Sequence, residues 1–133
     1  MSQENVELAY LASDAFNRRD LDAFLALTDP GVEAHSRIVE LEGGGPYRGH
    51  DGIRRWWKDV FAIVPDLSHK IEEVRDVGDV TVVRVRQRGR GLESDAPIEQ
   101  TQWFVTKWRD KKALWWRVLL SEADALEAAG LRE

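Results

Sequence analysis

The sequence predicts an α+β domain in which helices pack on one face of an antiparallel sheet, and three observations predict it. Apolar residues recur at helical spacing three times before residue 65. From residue 68 onward, four runs alternate as strands do, separated by short turn signals. The 133 residues suit one compact unit, 1–133, with no repeat, linker or low-complexity segment to divide them.

Residues 3–17 place Val6, Leu8, Ala9, Leu11, Ala12, Ala15 and Phe16 on one helical stripe, with Ser2, Glu4 and Asn5 supplying capping chemistry at its start. Asn17 to Asp20 breaks the period. Asp20 can cap a second helix whose apolar side is Leu21, Phe24, Leu25 and Leu27, and Asp29-Pro30-Gly31 stops it. Residues 32–41 are β-permissive, residues 43–46 force a turn, and Tyr47-Arg48-Gly49 makes a short return. Asp51 can cap a third helix, 52–64, in which Ile53, Trp56, Trp57, Val60, Phe61 and Val64 share one face; Pro65-Asp66 ends it. Strands follow at 68–75, 80–88, 98–109 and 113–121, and a last helix, 122–129, closes at Gly130, which can take the left-handed cap position.

Composition excludes several function classes. No stretch of about 18 apolar residues exists, so no membrane span is expected. A net charge of −5 argues against nucleic acid as partner. The N-terminus carries acids where a signal peptide carries a basic segment, so the cytoplasm is the expected compartment. With no cysteine, and with His35, His50 and His69 lacking ligand spacing, no metal is expected.

The order of elements, with the motifs FNRRDLDAFLAL, DPGVEAHS, YRGHDGIRRWW and SEADALEAAGL, resembles the SnoaL-like polyketide-cyclase family of the nuclear-transport-factor-2-like superfamily, over essentially the whole chain. The resemblance implies a cone: a curved, mostly antiparallel sheet wrapped around three helices, enclosing an apolar cavity. It implies a cavity for a small apolar molecule bearing an anionic or carbonyl oxygen, and a cofactor-independent isomerase, cyclase or hydrolase type of chemistry, or ligand binding alone by a homodimer. The places of the steroid-isomerase tyrosine, base and second acid hold Ala12, Ala34 and Phe104, none of which moves a proton. The Arg-x-Asp pair and second Asp of limonene-epoxide-hydrolase-like enzymes align with Arg84, Arg86 and Val118, so both acids are absent.

Candidate site residues follow. Arg84, Arg86, Arg88 and Arg90 alternate along one strand and share a side. Periodicity puts Thr81, Val83 and Val85 toward the core and the arginines in solvent, paired with Glu72, Glu73 or Glu99; the resemblance puts Arg84 and Arg86 in the cavity, where Arg84 would hold a ligand oxygen. His35 is the candidate proton carrier at the pocket rim, the alternative being a histidine bonded to the Glu33 or Asp51 region. Phe16, Trp57, Phe104 and Trp116 are candidate wall residues, with core packing as the alternative for Trp57, and Gln102 a neutral polar group in the cavity. On the opposite face Trp103, Val105, Trp115 and Leu119 form an apolar patch expected to bury itself in a homodimer or under the last helix.

Overall fold

A computed structural model of the chain describes residues 2–36, 45–90 and 97–130. The elements run α1 (Ser2–Asn17), α2 (Leu21–Ala26), β1 (Thr28–Ser36), β2 (Tyr47–Arg48), α3 (Gly49–Ile63), β3 (Ser68–Val77), β4 (Val80–Arg90), β5 (Pro97–Arg109), β6 (Lys112–Leu119) and α4 (Glu122–Ala128). They form the expected α+β fold: six strands in the order β2-β1-β6-β5-β4-β3 make an open, curved sheet, antiparallel except where β1 lies parallel to β6. Register shifts in the β1–β6, β3–β4 and β5–β6 pairs insert the bulges that bend such sheets.

Local chemistry sets the helices much as the sequence implies. The Asp20 carboxylate accepts a hydrogen bond from Ala23 N at 3.0 Å and starts α2. Gly130 takes φ +82° beyond α4, and Ser121 caps that helix by accepting from Asp124 N at 3.1 Å. Two expectations are corrected. Asp51 does not cap α3; that position falls to Arg48, and Asp51 sits in the first turn paired with Arg54 at 2.8 Å. Helix α2 already ends at the Leu27 cap, so Asp29-Pro30-Gly31 is not what stops it, and β1 begins at Thr28 rather than at 32. Those three residues lie inside β1, where the register shift between Thr28 and Glu33 accommodates a proline without a donor N–H. The expected strand end at 37–41, the turn residues 43 and 44, and loop residues 91–96 lie outside the described residues.

Helices α1, α2 and α3 all pack on the concave face. Phe16, Phe24, Ile53, Trp56, Trp57 and Trp116 share one core cluster with Val32 and Ala34 of β1. Helix α4 lies on the convex face, where Ala125 is fully buried against Val80, Val82 and Val105, with Trp103, Trp115 and Leu119 packed alongside. The last helix therefore covers part of the apolar patch, and Val105 is completely enclosed within one chain. Among the described residues no helix is long and apolar enough to cross a membrane.

Candidate functional site

Between the helices and the concave face the packing leaves a cavity of about 70 Å³. Its wall takes Ala9, Ala12, Ser13 and Phe16 from α1, Phe24 from α2, Trp56 from α3, and Ile71, Val83, Val85, Phe104, Thr106 and Trp116 from the sheet. Three of the anticipated wall residues, Phe16, Phe104 and Trp116, thus meet at one place. Trp57 does not reach it. Consecutive helix positions point about 100° apart, and it is Trp56 that faces the sheet, 4.7 Å from Trp116 between ring centroids. Trp57 packs behind, edge-on to Phe16 and Phe61. Gln102 has the cavity-side parity and is buried, but its amide runs along the strand and donates to Gln100 Oε1 at 3.3 Å.

The arginine ladder follows periodicity. Val83 and Val85 face the cavity, so the intervening Arg84 and Arg86 emerge on the other side of β4, with side chains 38% and 36% exposed. Arg84 pairs with Glu72 at 3.3 Å and Glu73 at 3.4 Å, Arg86 with Glu72 at 3.5 Å and Glu99 at 3.7 Å, and Arg88 with Glu99 at 2.8 Å. A cavity position for Arg84 and Arg86 is therefore corrected. His35 is likewise away from the cavity: it alternates with the inward Ala34 and Ser36, and its Nε2 lies 2.9 Å from Glu33 Oε1. That bond, more than Arg48, holds the Glu33 carboxyl below the usual carboxylate range.

Among the described residues, the titratable group on the wall is His69, which no sequence motif marks as a site residue. Its ring stacks on Phe16 at 4.3 Å and 5°, meets the Phe104 ring edge-on at 5.3 Å, and bonds through Nε2 to Gln87 Oε1 at 3.3 Å. Burial among these rings is the main cause that pushes its pKa down to about 4, with the nearby Arg19 adding to it and the Gln87 bond opposing. The imidazole is neutral at pH 7. A signal for it existed: Lys70 and Glu72 are polar in the strand, so His69 shares the inward parity of Ile71.

The FNRRD motif builds this corner. Phe16 supplies the stacking face, while Asn17 grips the His69 backbone twice, accepting from its N–H and donating to its carbonyl, each at 2.8 Å. Arg19, at φ +61°, donates to Phe16 O at 3.2 Å and Pro65 O at 2.8 Å and lies 3.9 Å over the Phe61 ring, which holds an otherwise unfavourable backbone conformation. Helix α1, the end of α3 and the start of β3 are thereby fixed around the histidine. Among the described residues no group of three His, Cys, Asp or Glu is placed to hold a metal ion.

With this geometry in hand, residues 8–117 match the sequence profile of the SnoaL-like domain family. No match is found among curated proteins. Solved structures similar to the chain include an NTF2-like protein of unknown function from Burkholderia pseudomallei, 21% identical with a TM-score of 0.80, covering 93% of this chain and 95% of that one. TerC, co-crystallised with polyporic acid, is 21% identical with a TM-score of 0.80, covering 96% and 98% respectively. IdmH of Streptomyces antibioticus, a candidate polyketide cyclase, is 20% identical with a TM-score of 0.75, covering 95% and 98%.

Proposed function

The chain belongs to the SnoaL-like domain family, and from that premise we propose that it takes a small, uncharged, largely apolar molecule into the cavity beside His69, with isomerase- or cyclase-type chemistry that needs no cofactor. The observation that carries this reading is the composition of the wall. Aromatic and aliphatic side chains dominate it, the polar groups are the hydroxyls of Ser13, Thr28 and Thr106, the Trp56, Trp108 and Trp116 indoles and a neutral imidazole, and no Lys, Arg, Asp or Glu is among its described residues. An ion entering such a space loses its hydration and gains no counter-charge. The anionic alternative for the ligand oxygen therefore gives way to a neutral one.

Among the described wall residues, His69 is the group that can take a proton from a bound molecule. Its lowered pKa makes it a weak base, which favours a second reading, binding without turnover. One experiment separates the two. Candidate ligands are screened by thermal shift, and each binder is recovered after incubation and compared with the starting compound by chromatography and mass spectrometry. Altered product that disappears in His69→Phe, with affinity retained, supports the enzyme. Binders returned unaltered support the binding module, and the failure of every apolar compound to bind removes both.

The proposal extends to a pair of copies joined through the convex face, where Trp103, Trp115 and Leu119 remain partly buried beside α4. Sedimentation equilibrium tests it, and a monomer at all concentrations would remove it.

A further inference from the structure

Trp116 carries a feature that the family resemblance does not explain. It is 4% exposed, forms part of the cavity wall, and its indole Nε1–H has no hydrogen-bond partner among the described residues. Buried polar groups are almost always paired, because an unmade bond forfeits the hydration the group had in water. Trp108, on the same wall, obeys that rule: its Nε1–H donates to Thr81 Oγ1 at 3.0 Å. Trp116 sits in β6 directly opposite Thr106 of β5 and Ala34 of β1, and its ring packs against Trp56 at 4.7 Å and Phe104 at 5.9 Å between centroids, whose side chains offer a weakly accepting π face but no oxygen acceptor.

We infer that the Trp116 Nε1–H serves as a hydrogen-bond donor to the cavity's ligand, and that the ligand is an uncharged carbonyl compound whose oxygen accepts from it while its apolar body lies against Phe16, Trp56 and Phe104. The inference rests on the cavity reading above and narrows it to a ligand class. A carboxylate is disfavoured because no Lys or Arg stands on the wall among its described residues. A hydrocarbon is accommodated but leaves the N–H unpaired. An oxygen acceptor fills the need, and a neutral donor suits a neutral acceptor. The N–H is sealed from water, so the carbonyl reaches it by displacing a packed neighbour, Trp56 and Phe104 being the aromatic ones. A cavity of about 70 Å³ is below the roughly 150 Å³ that accepts benzene in an engineered core, so the ligand enlarges the space as it enters.

The test uses matched probes on the whole protein: cyclopentanone, cyclohexanone and 1-indanone, each beside its parent hydrocarbon. Proton–nitrogen correlation spectra report the indole N–H signals, with Trp108 as the internal control already bonded. The Trp116 signal is assigned through space, so that the reading does not depend on a variant that folds poorly. The expected result is that a ketone moves the Trp116 N–H downfield, its hydrocarbon does not, and Trp108 stays put under both. In Trp116→Phe the preference for ketone over hydrocarbon falls by about fivefold, the size of one net hydrogen bond. If ketone and hydrocarbon both bind, the Trp116 signal does not move and Trp116→Phe leaves their ratio unchanged, the assignment of the donor is overturned and the cavity reading stands. If no probe of either kind binds, both are overturned.

Discussion

Stability below neutral pH offers a direct measure of His69. The folded chain holds its pKa at about 4 against an ordinary 6.5, chiefly by burying the ring against Phe16 and Phe104. A histidine whose pKa is depressed by folding binds its proton more readily in the unfolded chain, so its contribution is fully present above pH 6.5. It is lost as pH falls from 6.5 to 4 and is constant below that. The linkage relation puts the loss relative to pH 7 at about 2 kcal/mol by pH 5 and about 3 kcal/mol by pH 4, upper values because the ring is only partly buried. Urea unfolding at pH 7, 6, 5 and 4 would be compared between the native chain and His69→Phe, which keeps an aromatic ring on Phe16 and removes the proton site. The carboxylates titrate in both proteins, so the difference between the two curves isolates the imidazole. The expected outcome is that the native chain loses stability more steeply than the variant throughout this window. Parallel curves would refute the argument that the ring is held neutral by its surroundings, and with it the picture of an uncharged cavity wall.

Other consequences can be checked more briefly. Asn17→Ala removes both bonds to the His69 backbone and is expected to cost about 1–2 kcal/mol, read as a lower urea midpoint; an unchanged midpoint would mean that β3 holds its own start. Arg84→Gln should leave the affinity of any cavity ligand within about twofold and stability within about 0.5 kcal/mol, since it breaks only surface ion pairs, and isothermal calorimetry showing a tenfold loss would place the guanidinium at the ligand after all. In Gly89→Ala the new Cβ would stand 2.5 Å from Val64 Cγ1 and 3.2 Å from Leu67 Cα, so a loss of about 1–3 kcal/mol is expected. A variant with native melting temperature would show that the α3–β3 connection yields freely there.

The elements were legible wherever one period dominated. The apolar face of α3 and the inward set Thr81, Val83 and Val85 of β4 were both readable, and the sheet side of Arg84 and Arg86 followed from the second. The pairing of β1 with β6 was not, because parallel contact between segments some 80 residues apart leaves no local trace. Asp29-Pro30-Gly31 reads as a stop because its turn chemistry is strong, and only the bulge made with β6 turns it into strand. Within the site, Phe16, Phe104 and Trp116 were readable as ring residues on inward parities. Which of two adjacent tryptophans faces the sheet depends on the rotation of α3, which the sequence leaves open between Trp56 and Trp57. The sequence does not single out His69, because its surroundings come from separate elements closing around it. Its own parity with Ile71 hinted at burial, but not at the stacking partner or the clamp.

The Asn17 clamp also acts on β3 as the outermost strand of an open sheet. Such a margin presents unmet main-chain groups to any passing strand and invites polymerisation. By taking both backbone groups of His69 into its own amide, the end of α1 occupies one rung of that ladder, and Lys70, Glu72, Glu73 and Arg75 place charge along the next. Losing Asn17 would therefore bare one more unpaired rung of that border, so the same change that loosens the fold also makes it stickier.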